Sequence, residues 1–326
     1  MIRSAAFAVF GLACVVGTAR SQPAPLVIEA KIPLGAVAGR IDHMAVDLGR
    51  GRLFVAELGN NSLGVVDIAR RVVLRTINGL NEPQGVGYLT ADDTVFVANG
   101  SDGSVQRFAG ADLTPMPPIA LDSDADNVRV DDSAAQVFVG HGKGGIAVID
   151  RKGRVVADIR LPAHPESFQI DASAGRLYVN LPDADQVGIA DLRATKQIAA
   201  WTMQGARGNF PLALDPAGGR VLVATRRPPR LLALAPDGKV ATSATLDGDA
   251  DDLFIDAKRA RIYASCGDGV VDVYDFCGAR LERIGQVTTV PGARTSLWVP
   301  VLDRLFVAAR ASGTGSAAIW VLRPVP

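Results

Sequence analysis

One strand-like pentamer occurs seven times along the chain: RLFVA (52–56), TVFVA (94–98), QVFVG (136–140), RLYVN (176–180), RVLVA (220–224), RIYAS (261–265) and RLFVA (304–308). Successive copies start 40 to 44 residues apart, with a mean spacing of 42. A fixed period of this length marks a repeat architecture, in which each unit buries its apolar faces against its neighbours. The surroundings of the pentamer repeat too. A short apolar strand precedes it, usually ending at Asp, as in HMAVD (43–47), NVRVD (127–131), SFQID (167–171), PLALD (211–215) and DLFID (252–256). A tight turn joins the two strands. A polar, Gly-rich loop and a third strand follow, as in LGVVDI (63–68) or VVDVYDF (270–276), and then a more polar fourth strand such as RVVLRTI (71–77). These β-rich runs bounded by Gly, Asn and Asp are strand and hairpin signals, and no amphipathic helical stretch of useful length interrupts them.

Four antiparallel strands per repeat give the expected fold class: all-β, a seven-bladed β-propeller of four-stranded blades. The last unit supplies only three strands, TSLWVP (295–300), RLFVAAR (304–310) and AAIWVLRP (317–324), whereas PLVIEAKIPL (25–34) has no unit of its own. We expect this N-terminal strand to join the last blade as its outermost strand, so that the ring closes and leaves no open circular edge. The recurrent Phe54, Phe96, Phe138, Tyr178 and Phe306 are expected in the inter-blade core, and Asp47, Asp171, Asp215 and Asp256 in structural turns.

The chain has 326 residues, 48% apolar and 21% charged, which reads as globular rather than disordered. Lys+Arg and Asp+Glu are both 34, so no basic excess points to nucleic acid or an anionic membrane. Arg3 precedes the apolar run AAFAVFGLACVVG (5–17), and small residues Ala19 and Ser21 precede Gln22. That pattern is a signal peptide, too short to span a bilayer. The expected organisation is a signal peptide over 1–21 and one propeller domain over 22–326, periplasmic or secreted, monomeric and without a transmembrane segment. Lipidation at Cys14 is disfavoured because Gly11 stands where a larger apolar residue is usual. Cys266 opens a hairpin tip and Cys277 lies further down its second strand, more than about 20 Å away at strand rise, so two free thiols are expected rather than a disulfide.

The Gly-His and Trp-Asp pairs of WD repeats are absent. FVAN (96–99), LYVN (177–180), GRLFVAELGNNS (51–62) and the VVD or VID of the third strand make the chain resemble the YVTN/YncE-like bacterial secreted seven-bladed propellers over roughly 40–324. The stretches GRIDHMAVD (39–47), EPQGV (82–86), DADNV (124–128), HPESFQ (164–169) and GARTSL (292–297) resemble one branch of them. That resemblance implies fold and export, and little chemistry.

Function on a propeller belongs on the face where loops approach the innermost strands. The position just before each inner strand is Asp42, Gln84, Asp126, Glu166, Phe210, Asp251 and Arg294; the next is His43, Gly85, Asn127, Ser167, Pro211, Asp252 and Thr295. The ends of the second strands and their loops add Glu57, Asn99, His141, Arg226 and Cys266, and the chain's third His, His164, sits two residues before Glu166. Two readings follow. In the first, a binding or interaction propeller presents a polar channel mouth to a small ligand or an envelope protein partner. In the second, a divalent metal ion lies near Asp42, His43, Asp126, Glu166 and Asp251 in a hydrolase or lyase acting on a lactone or ester. His43 or Glu166 would then handle protons, and Arg294 would hold a substrate carboxylate. GKGG (142–145) lacks the following helix of a phosphate loop, and RRPPR (226–230) reads as a solvated basic rim.

Overall fold

A computed structural model describes residues 24–215, 219–278, 280–313 and 315–326. The expected signal peptide and Cys14 lie outside the described residues. Seven four-stranded antiparallel sheets form the blades of a propeller. Inner strands run over Met44–Asp47, Pro83–Leu89, Val128–Asp131, Phe168–Asp171, Arg207–Asp215, Ala250–Asp256 and Ser296–Val299 in blades 1 to 7. Every pentamer lies in the second strand of its blade. Among the described residues no helix is long and apolar enough to cross a membrane.

Ring closure follows the sequence expectation. Leu26–Pro33 pairs antiparallel with Ala318–Pro324, from Leu26 opposite Pro324 to Pro33 opposite Ala318, and makes the outer strand of blade 7. Lys31 Nζ sits 3.5 Å from the centre of the Trp320 ring and adds a cation–π contact across this seam.

Strand alternation explains the core. Positions 2 and 4 of each pentamer face the preceding blade, so Leu53 and Val55 pack with Phe306 and Val321 of blade 7. Position 3 faces the following blade, so Phe54 packs with Val86 and Val97 of blade 2. Phe54, Phe96, Phe138 and Phe306 are buried. Tyr178 is half-buried, packs against the inter-blade cluster with Val221 and Val223 of blade 5, and stacks at a tilt on Trp201 of its own blade, ring centres 5.8 Å apart. The strand-end aspartates hold turns. Asp47 accepts from the Arg50 amide, Asp171 from the Ala174 amide and Asp256 from the Lys258 amide, while Asp215 accepts from the Arg220 guanidinium. The two cysteines are free; Cys266 is buried and Cys277 exposed at the far end of Val270–Cys277.

Candidate functional site at the channel mouth

Where the loops reach the inner strands, a cavity of about 180 Å³ opens at the ring axis. Six of the seven residues at the position before the inner strand line it: Gln84, Asp126, Glu166, Phe210, Asp251 and Arg294. The seventh, Asp42, is fully buried beside it.

The backbone presents these side chains in two ways. In blades 1, 3 and 4 the amides of Asp42, Asp126 and Glu166 donate to the carbonyls of Ala56, Gly140 and Asn180 at 2.7, 2.9 and 3.0 Å, each the last residue of that blade's pentamer. In blades 2, 5 and 6 the inner strand is longer and its register slips between Pro83 and Val86, Asn209 and Leu212, and Ala250 and Asp252. Gln84, Phe210 and Asp251 sit in those irregularities, which re-aim a side chain out of the regular ladder. Either way the side chains are held by a rigid ladder. Gly85 allows one close approach: a Cβ there would fall 1.9 Å from the Asp126 carbonyl oxygen.

Charge is sorted around the ring. On the wall made by blades 5, 6, 7 and 1, each cation has an acid. Arg226 Nη2 lies 2.8 Å from Asp251 and 3.1 Å from Asp249, and the Arg226 guanidinium stacks 3.6 Å over Phe210. Arg294 reaches both acids at 2.9 Å. Arg40 Nη2 is 2.7 Å from Asp42, an ion pair without hydrogen-bond alignment, and neither Asp42 oxygen has a hydrogen-bond donor. His43 lies between Asp42 at 3.8 Å and Asp252 at 3.6 Å. Burial opposes its charge, but Asp252, Asp42 and Asp126 prevail and push the imidazole up to about 10, so His43 is a cation at neutral pH. Asp251 is pushed up to about 6 by burial, which Arg294 partly offsets.

Blades 3 and 4 differ. Asp126, His164 and Glu166 offer atoms within 4.8 Å of one another. Burial, and then the neighbouring carboxylates, raise both Asp126 and Glu166 well above the usual carboxylate range. Asp126 Oδ1 and Asn127 Oδ1 are buried without a hydrogen-bond partner.

The expected metal set therefore divides. Asp126 and Glu166 come together with His164, whereas Asp42, His43 and Asp251 are engaged in ion pairs. Of the wider candidates, Gln84 and Asn127 line the cavity, Gln84 donating to Asp124 at 3.2 Å. Asp252 backs His43 and accepts from the Ser296 amide at 2.7 Å. Glu57, Asn99, His141 and Cys266 do not line the cavity. They stand one residue past the pentamer, on the face that positions 2 and 4 turn to the preceding blade. There Glu57 accepts from Ser62 at 2.6 Å, Asn99 donates to Ser104 at 2.9 Å, and His141 meets Asp158 at 3.2 Å. Cys266 packs among Ala264, Leu231 and Phe276, and burial pushes its thiol far up. Arg226 corrects the reading of RRPPR as a solvated rim, since it turns into the cavity.

Arg40 and Asp124 line the cavity without having been expected there. The missed signal is the alternation of extended backbone. Arg40, Asp124, His164 and Asp249 each lie two residues before a lining position or Asp42, on the same side of the chain.

No family model matches the sequence, and no curated protein does. Solved structures match in shape. A structure described as Kuenenia stuttgartiensis hydrazine synthase superposes with a TM-score of 0.74 at 15% identity, covering 90% of this chain and 96% of that one. A chain in a crystal structure of the mitotic checkpoint complex superposes with a TM-score of 0.78 at 12% identity, covering 100% and 99%. At such identities the likeness is one of fold, and the seven-bladed propeller is what they share with this chain.

Proposed function

We propose that this protein is a binding propeller whose channel mouth takes a small bipolar ligand. The observation that carries the reading is the charge sorting around one cavity. A cationic centre fits against the unpaired acids of blades 3 and 4. An oxyanion fits against Arg226 and Arg294, whose forked guanidiniums suit planar recognition of a carboxylate. A compact polar cavity selects by charge placement more than by apolar contact. The propeller fold also suits an interaction role for the surrounding rim. The reading extends to an exported member of the YVTN/YncE-like group, processed before Gln22, and meeting its ligand or an envelope partner in the periplasm or outside the cell.

Calorimetry on residues 22–326 tests it, with amino acids, betaines and hydroxy acids as probes, with and without Mn²⁺. Zwitterionic probes should bind, and Arg294→Lys should weaken them. If no probe binds, or binding survives the substitution, the reading fails. Mass spectrometry of the processed N-terminus tests export.

One observation favours a second reading, metal-assisted hydrolysis or lyase chemistry on a lactone or ester: Asp126, His164 and Glu166 gather beside a cationic His43. Lactone and ester turnover with added Mn²⁺ or Zn²⁺ tests it.

A further inference from the structure

Blades 3 and 4 carry a donor set that other parts of the cavity lack. Asp126 and His164 come from the two approaches that flank the blade 3 hairpin HGKGG (141–145), and Glu166 lies two residues after His164 on the same side of an extended segment. None of the three has an Arg or Lys ion-pair partner within 4.0 Å among the described residues. Buried acids without a cation are costly, and the fold keeps them so.

Unsatisfied oxygens add a second observation, and one of them, on Asn127, lies outside that cluster. Asp126 is 8% exposed and Asn127 2%, both line the cavity, and the Oδ1 of each has no hydrogen-bond partner. Buried polar atoms are nearly always satisfied, so two orphaned acceptors on residues lining one cavity call for a positive centre or a donor there.

The imidazole is prepared as well. His164 Nδ1 lies 2.6 Å from the carbonyl oxygen of Gly142. A carbonyl only accepts, so Nδ1 carries the proton and the lone pair is on Nε2. A backbone carbonyl holding one ring nitrogen is the usual support of a metal-binding histidine. Gly142 belongs to the HGKGG turn and has φ +59°, and its amide donates to Ser123 at 2.6 Å. The turn that is no phosphate loop thus serves as the brace for His164. His43, being cationic, has no lone pair to offer.

We propose that Asp126, His164 and Glu166, with the Asn127 side-chain oxygen near them, bind a first-row divalent cation such as Mn²⁺ or Zn²⁺, which supplies the cationic centre of the ligand site. Mixed imidazole and carboxylate donors suit these ions better than Mg²⁺ or Ca²⁺, which favour oxygen alone. The proposal rests on the ligand-binding reading above and names one half of what the cavity holds.

The test is uptake of the metal alone by chelator-treated residues 22–326, followed by electron paramagnetic resonance for Mn²⁺ and calorimetry for Zn²⁺. A single equivalent should bind. Asp126→Asn and Glu166→Gln should each weaken Mn²⁺ at least about tenfold, and His164→Ala should weaken Zn²⁺ by as much. Glu282→Gln, on the exposed outer strand of blade 6, should change neither. Where Asp126→Asn fails to fold, His164→Ala on the loop carries the test. No uptake, or uptake that the three substitutions leave intact, overturns the proposal. Zwitterionic probes that bind in chelator while no metal does would sink the metal site and spare the ligand reading. Metal uptake with no organic probe bound would do the reverse.

Discussion

The two walls of the channel mouth use the same residue types to opposite ends. On blades 5 to 7 and blade 1 the buried acids are each matched to a guanidinium or to His43, so the charges hold the wall together. On blades 3 and 4 the acids gather with His164, and an orphaned amide oxygen of Asn127 belongs to the same cavity lining. The difference teaches that one register position in a ring of repeats can be matched in charge on one side and left unmatched on the other. What decides is whether the fold supplies the counter-charge.

Substitutions on the two walls should therefore have opposite signs. The largest effect belongs to Arg294→Ala, which leaves Asp249 and Asp251 to Arg226 alone. It should cost about 3 kcal/mol in urea unfolding, the cost of breaking a partly buried pair. Next comes Gly85→Ala, which forces the Asp126 carbonyl aside. Overpacking of that kind should cost about 2 kcal/mol and reduce metal uptake with it. Glu166→Gln removes like-charge repulsion and should raise stability by about 1 kcal/mol in chelator, reversing to a loss when Mn²⁺ is added. A loss in both conditions would break the comparison.

The pH dependence of the paired wall concerns His43. Its imidazole is raised from 6.5 to about 10, so its stabilising contribution is complete below 6.5 and fades as pH rises through about 10. Imidazole resonances should report that alkaline midpoint. Asp252→Asn should move it down, shrink the alkaline loss of stability and lower stability at neutral pH, where the pair is formed. A midpoint near 6.5 in the unsubstituted protein would remove His43 from the paired wall.

The fold was legible because a pattern written seven times overrides local ambiguity. The one orphan strand before the repeat array and the missing fourth strand at its end also specified the closure. The site was legible in part. The position before each inner strand located the lining because six of the seven blades present it, by a ladder hydrogen bond as at Asp126 or by a bulge as at Asp251. Strand-end residues misled. Glu57, Asn99, His141 and Cys266 are polar or reactive types, yet each shares a face with two core residues of its pentamer. Period-two counting back from the core places them between blades. Pairing was not legible: nothing in the sequence says that Arg226, fifteen residues past Pro211, folds back over Phe210 to meet Asp251.

Closure of the ring by Leu26–Pro33 has a consequence for completeness. Arg294 leads into the inner strand of blade 7, and that blade is finished only when the first strand of the chain meets the last. The first strand of the ring must wait for the last. Without either strand of the seam, most of the repeats remain but blade 7 is left open and exposes a strand edge that invites other chains. Closure of the ring is thus tied to the meeting of two segments nearly three hundred residues apart in sequence.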